Sequence, residues 1–458
     1  MDFVSFPPRQ VRRLRGAVWL AGWLLACAAA PAAAQLGLPG GGGVALPGLG
    51  GITGPVGGQI RSLQESRPVD SVASALPLRE LRRRTIDDLL SRHREVVERD
   101  PAGEPVVRAE LLLLAPTEAQ LAAAQAGGFV VLREQSMPEL GLRHVVLQPP
   151  PGLATVDAMA RLRAIDPSIE ADFNHLYLRS GSVDERPPAS VTAARVLATT
   201  TRIGLIDGGI DAAHPALRGA TQRVSGCDGK AVPSAHGTAV ASLLAGRDGA
   251  FAGAAPGAML YAADIYCGRP DGGTAEAVAT ALGWMARERV AVVNVSLVGP
   301  PNKLLARAVA AVIERGHIVV AAVGNDGPAA PLLYPAAFPG VVGVTGVDRR
   351  RAVLPEAAQG AHVMLAAPGA ELAVAQLSTS DYVAARGTSF AAPLVAGLLA
   401  ARLRDPDPAA ARAAVAALQR EAIDLGAPGR DPVFGVGLVA EPMRVDPRRL
   451  QLLLGKTH

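Results

Sequence analysis

The 458-residue sequence predicts an α/β fold, a parallel sheet sandwiched by helices, preceded by a smaller ferredoxin-like α+β unit. Three observations predict it. From residue 200 onward, short apolar runs alternate with segments of helical periodicity, the pattern of strands joined by crossover helices. Those runs are apolar at nearly every position rather than at every second one, as in strands covered on both faces. Upstream, residues 109–178 carry the order β-α-β-β-α-β, the split βαβ unit.

In chain order, residues 1–34 read as a signal peptide. Arg9, Arg12, Arg13 and Arg15 form a basic start, and Ala17 to Ala30 is an apolar stretch short for a spanning helix. Ala32-Ala33-Ala34 then offers an A-x-A cleavage site. Cys27, after Leu24-Leu25-Ala26, loosely resembles a lipoprotein processing site, so anchoring through Cys27 is the minor alternative to simple cleavage. No later segment is long and apolar enough to span a membrane, and the chain is expected to be secreted or periplasmic. Residues 35–75 are rich in Gly and Pro with little charge, a flexible leader.

Residues 76–180 form the next unit. Leu76 to Asp100 has apolar positions three and four apart among many charges, which predicts an amphipathic helix. Ala109 to Leu114 reads as a strand, Thr117 with Gln120 as a capping box, and Gly127-Gly128 as the stop of the helix between. Phe129 to Arg133 and Leu142 to Leu147 read as two strands, Thr155 as the cap of a helix through Ile165, and His175 to Leu178 as the last strand. Residues 181–199 (GSVDERPPAS and beyond) are polar and contain proline, an exposed linker open to cleavage.

The unit at 200–442 alternates strands at Ile203 to Ile206, Met259 to Ile265, Val290 to Val295, Ile318 to Val323, Val341 to Val344 and Val363 to Ala366 with helices at Gly237 to Leu244, Ala275 to Glu288, Lys303 to Arg315, Ser389 to Arg404 and Ala409 to Arg420. Residues 443–458 are a short basic tail. Hydrophobic residues are 49% and charged ones 19%, enough to bury a sizeable core and to exclude wholesale disorder. The net charge of +4 comes without basic runs interleaved with aromatics, which excludes a nucleic-acid surface.

Three segments carry chemistry. Gly387 to Gly397 (GTSFAAPLVAG) is a glycine turn, then Ser389 in the first turn of an apolar helix, where free backbone N–H groups can hold a developing oxyanion. Alone, it is an ordinary capped core helix. Arg202 to Asp211 (RIGLIDGGID) delivers Asp207 at the carboxyl end of a strand, the edge where open α/β sheets place their sites. His236 opens HGTAVASLLAG, a second glycine turn into an apolar helix. An acid, an imidazole and a serine in this order suit nucleophilic hydrolysis.

With VVAAVGNDG at Val319 to Gly327 and VVNVSLVGP at Val292 to Pro300, these blocks resemble the subtilisin-like serine proteases over residues 200 to 440. The resemblance implies a subtilisin-like parallel sheet and an Asp207, His236, Ser389 triad. It also implies Asn325 as side-chain oxyanion donor, and Ser296, Leu297, Val298, Gly299, Ala322 and Gly324 as substrate-binding residues. It makes residues 76–180 a propeptide that inhibits in cis, threads its end through the cleft and is removed by a cut between Leu178 and Val191. A permanent N-terminal domain is the alternative. The partners expected are protein or peptide substrates and the chain's own propeptide, with no nucleic acid.

Gly208 stands where the family usually has Thr or Ser, which removes a hydroxyl partner for Asp207. Val298 stands for a glycine and narrows the S1 pocket, so small or medium P1 residues are expected. Ala239 and Leu394 replace histidines common beside the catalytic pair. His214, Asp211, Asp264, His317, His362 and Asp326 are expected to be structural or surface residues. In an exported chain Cys227 and Cys267 are a candidate disulfide. No metal spacing is present. No cofactor is required, and structural calcium is left open because no Asp/Asn cluster reads as a calcium loop. A protease-fold binding protein with little activity is the competing class, and a G-x-S-x-G esterase has no support around Ser389.

Overall fold

The computed structural model describes residues 80, 82–179, 181–183, 201–220, 222–230, 232–249 and 251–447. The expected signal peptide with Cys27, the leader, most of the linker and residues 448–458 lie outside the described residues. The described residues all belong to one compact unit.

The larger half is built on a seven-stranded, all-parallel sheet. Its strand order is Val363–Pro368, Val342–Val347, Ile318–Ala322, Val292–Val295, Arg202–Asp207, Met259–Asp264, Gln222–Ser225. Inner strands such as Ile318–Ala322 are buried at every residue, which is why they read as unbroken apolar runs. Each such Val, Leu or Ile contributes about 1.5–3 kcal/mol on burial. Gln222–Ser225 has one apolar residue and lies at the exposed edge, so its sequence gave no strand signal.

Helices cover both faces. Thr388–Ala400 is buried along all but one of its residues, as a helix apolar all round must be. It packs with Ala235–Ala245 into one core, while Ala275–Arg287 and Lys303–Glu314 close the opposite face. The expected helices at 237–244, 275–288, 303–315, 389–404 and 409–420 are present with ends shifted by a few residues.

The smaller half has the expected β-α-β-β-α-β order. Pro105–Leu114 pairs antiparallel with Leu142–Gln148 and Ala171–His175, and Val130–Met137 lies outside Leu142–Gln148. Glu118–Ala126 and Thr155–Ile165 pack on one face. The other face contributes Leu112, Leu114, Met137 and Val146 to the core shared with Ala275–Arg287.

Three expectations are corrected. The helix expected to run to Asp100 ends at residue 92, and Val97–Arg99 pairs with Pro105–Leu114 instead; Val97 is fully buried there. Thr155 does not cap its helix: the N-cap is Ala154, and the Thr155 hydroxyl oxygen accepts the N–H of Ala109 at 2.8 Å. The last strand is Ala171–His175 rather than 175–178. Residues 176–179 leave the sheet as Tyr177 is buried in the core shared with the larger half, while Leu176 packs beside Val97 and Val107.

Candidate active site

Asp207 ends the inner strand Arg202–Asp207, and His236 is the second residue of helix Ala235–Ala245. A Cβ on Gly237 would stand 2.3 Å from the Gly208 carbonyl oxygen, so only bare backbone lets this helix start press against the strand end. That closeness puts His236 Nδ1 at 2.9 and 3.0 Å from the two Asp207 oxygens. Asp207 is fully buried and also accepts the Gly208 N–H at 2.6 Å. A buried carboxylate so placed keeps the proton on Nδ1 and leaves Nε2 to accept one.

The space left at Gly208 is filled by a residue that sequence reading missed. Ser234 Oγ would lie 2.4 Å from a Cβ at position 208 and fills that space itself. It donates to the Gly209 carbonyl at 3.2 Å and accepts the Gly237 N–H at 3.0 Å, capping the His236 helix.

Ser389 is the second residue of Thr388–Ala400, behind the N-cap Gly387 at φ 138°. Its hydroxyl donates to the Ser296 carbonyl at 3.3 Å. The ring of Phe390 lies 5.4 Å from the His236 ring, so the two helix starts meet. Pro393 has no N–H to give the Ser389 carbonyl four residues back. That carbonyl instead accepts the Ser296 hydroxyl at 2.9 Å, and Ser296 in turn accepts the Asn294 side-chain amide at 2.8 Å. A proline four residues after a serine in an apolar helix was the available signal.

Asn325 follows the strand Ile318–Ala322. Its Oδ1 accepts the Thr388 N–H at 3.0 Å, and Thr388 Oγ1 accepts the Gly324 N–H at 3.2 Å. Its Nδ2 is buried without a hydrogen-bond partner among the described residues, beside Gly387. An amide N–H left open next to a helix start is a ready oxyanion donor.

Leu297–Val298 pairs antiparallel with Leu178–Arg179, a strand the smaller half sends into the cleft. Gly299 exchanges hydrogen bonds of 2.9 Å with Tyr334 and lies under the Tyr177 ring. Across the site Ser182–Val183 pairs with Tyr382–Arg386. Between the two ladders, Gly181 Cα lies 2.7 Å from where a Cβ on Gly387 would be. Ala322 ends its strand buried, and Leu333 Cδ1 would lie 2.6 Å from a Cβ placed on Gly324, with Val298 Cγ1 in ordinary contact at 3.5 Å.

Other sequence candidates stand apart from this cluster. His214 caps the turn Pro215–Arg218 by accepting the Ala216 N–H, and burial lowers its pKa. Asp326 pairs with Arg82, which also holds Glu104, and burial raises the carboxyl's pKa. The sulfurs of Cys227 and Cys267 lie at bonding distance, 2.19 Å. With Asp264 they make a trio of candidate metal ligands among the described residues, but sulfurs bonded to each other are not thiolates free to ligate.

A model of the subtilase family matches residues 198–437. Subtilisin DY of Bacillus licheniformis is 33% identical over 207 residues, 43% of this chain and 75% of its own. Subtilisin Savinase of Lederbergia lenta is 32% identical over 244 residues, 52% and 88% respectively. The minor extracellular protease Epr of Bacillus subtilis strain 168 is 31% identical over 243 residues, and the match spans only 37% of its length. Among solved structures, fervidolysin from Fervidobacterium pennivorans aligns with a TM-score of 0.61 at 19% identity. That alignment covers 79% of this chain and 63% of that one, a likeness of fold. No helix among the described residues is long and apolar enough to cross a membrane.

Proposed function

This chain belongs to the subtilase family, and from that premise we propose that it is an exported serine endopeptidase made as a self-processed zymogen. The observation that carries the reading is the buried Asp207–His236 pair, with contacts of 2.9 and 3.0 Å, held beside the helix start that bears Ser389. A serine hydroxyl is a weak nucleophile at neutral pH, so His236 Nε2 takes its proton as Oγ attacks the substrate carbonyl. Asp207 stabilises the imidazolium without taking the proton. Asn325 Nδ2 and the Ser389 backbone N–H hold the oxyanion. Collapse breaks the C–N bond as His236 returns the proton to the leaving amine, and water then hydrolyses the acyl-enzyme by the same route. These steps use no cofactor.

Residues 76–180 act as the propeptide in this reading, supported by the strand Leu178–Arg179 beside Leu297–Val298 and by Gly181 against Gly387. The peptide bond on the amino side of Gly181 is then the one cut, within the stretch from Leu178 to Val191. Export would expose Cys227 and Cys267 to an oxidising compartment, in keeping with their bonding distance of 2.19 Å.

N-terminal sequencing of purified protein tests this. A terminus at Gly181 that disappears in Ser389→Ala, together with fluorophosphonate attachment at Ser389, is expected. An uncut chain that refuses the label overturns the proposal and favours a binding protein of protease fold.

A further inference from the structure

We infer that the subsite formed by Tyr266, Asp264 and the Gly208-Gly209 backbone selects a basic side chain two residues before the cleaved bond. This rests on the protease reading above, in which the strand entering the cleft is a substrate and Arg179 is its residue at that position.

Arg179 reaches out of the strand paired with Leu297–Val298, and its guanidinium carbon lies 4.2 Å from the centroid of the Tyr266 ring. A cation over an aromatic face is attracted by the ring quadrupole, more strongly where water is displaced. The Tyr266 ring is buried, and its hydroxyl donates to the Tyr177 carbonyl at 2.8 Å, which ties it to the same strand and sets its face. Arg179 shares a cavity of about 270 Å³ with Tyr266, Asp264, Gly208, Gly209 and Ser234.

Asp264 was expected to be structural, and one of its oxygens is: Oδ1 accepts the backbone N–H groups of Tyr266 and Cys267, both at 3.0 Å. Its other oxygen, Oδ2, is buried with no hydrogen-bond partner among the described residues, in a residue only 4% exposed. That oxygen lies 2.9 Å from where a Cβ on Gly209 would be, and Arg179 Nη2 lies 3.6 Å from where one on Gly208 would be. Two adjacent bare residues thus leave backbone alone at positions 208 and 209 of the wall of the cavity that the carboxylate and the guanidinium share. An open carboxylate oxygen, an aromatic face and the nearby Asp207 carboxylate all favour a cation and disfavour an anion.

The test has two arms. In the full chain, the half-time for appearance of the Gly181 terminus is followed for the native protein and for Arg179→Lys, Arg179→Gln and Arg179→Glu. Arg179 is exposed, so these variants fold. The expected order is Arg, Lys, Gln, Glu from fastest to slowest, with Glu slower than Arg by about tenfold or more. In the processed enzyme, two peptides that differ only in Arg or Ala two residues before the cut are compared. Their ratio of kcat/KM is expected to be about tenfold in the native protein and to fall toward one in Asp264→Asn and in Tyr266→Leu. Equal cleavage of both peptides by an enzyme that takes the fluorophosphonate overturns the subsite alone, as does an unchanged ratio in both variants. Failure of the label and of every peptide overturns the protease reading, and the subsite falls with it.

Discussion

The Asn325 side chain turns its oxygen toward Thr388, accepting that residue's N–H at 3.0 Å, and thereby leaves its amide nitrogen open beside Gly387. One hydrogen bond on the far side of the amide orients a donor that is itself unpaired. Asn325→Ala removes the donor and is expected to lower kcat by about 10²–10³ with little change in KM. Steady-state kinetics on one peptide check this, and a variant as fast as the native protein removes Asn325 from the oxyanion site.

Ser296 supplies the hydrogen bond that Pro393 withholds from the Ser389 carbonyl, at 2.9 Å. Ser296→Ala removes that hydrogen bond and is expected to cost about 0.5–1.5 kcal/mol of stability, read from denaturant unfolding. Pro393→Ala, which restores the N–H, is expected to recover part of the loss in the double variant.

Gly208 and Ser234 occupy one space between them. Gly208→Ser sets its Cβ 2.4 Å from Ser234 Oγ and is expected to destabilise by about 1–3 kcal/mol. Ser234→Gly has its own cost, about a few tenths of a kcal/mol for exchanging one acceptable N-cap for another. The double variant is expected to be more stable than the sum of the two single changes, and strict additivity in a double-mutant cycle would show that the two positions do not compete.

Val298 and Leu333 both lie against Gly324, and the resemblance to the family puts Val298 and Gly324 beside the S1 pocket. Hydrolysis of peptides with Ala, Leu, Phe or Arg just before the cut is expected to favour Ala and Leu, and Val298→Gly is expected to raise the rate on Phe relative to Ala. The residue before Gly181 in the sequence is a serine, small enough for such a pocket. Fastest cleavage after Arg at this position argues against a restricted pocket.

Glu276 joins the two halves. Burial pushes its carboxyl pKa up, but hydrogen bonds from His144 and Arg133 on the smaller half outweigh it and hold the value at about 2. A folded pKa below the unfolded value of about 4.3 means the group contributes stability above pH 4.3 that is lost as the pH falls toward 2. Glu276→Gln is therefore expected to be less stable than the native chain at pH 7 and to match it near pH 2, in unfolding curves of Ser389→Ala protein kept uncut. A constant difference across that range would exclude the carboxylate as its source.

Much of the fold was legible because the signals are local. Strands buried on both faces are apolar throughout, and Thr117 with Gln120 forms the capping box its spacing announces. The misread parts are those where a distant partner outcompetes local preference. Thr155 looked like a cap, yet its hydroxyl bonds Ala109, 46 residues away. Residues 97–99 looked helical, yet the neighbouring strand claims them through pairs such as Val97 with Val107.

By itself the amino-acid order determined most of the element sequence and the family, and it singled out Asp207, His236 and Ser389 as candidates, because periodicity and short motifs are properties of neighbouring residues. Only the tertiary structure decided that Ser234 fills the space at Gly208, that Ser296 completes Ser389, and that Asp264 shares a cavity with Arg179. Those relationships join residues 26 to 93 positions apart. The packing of strand ends against helix starts brings them together, and no local pattern encodes such a distance.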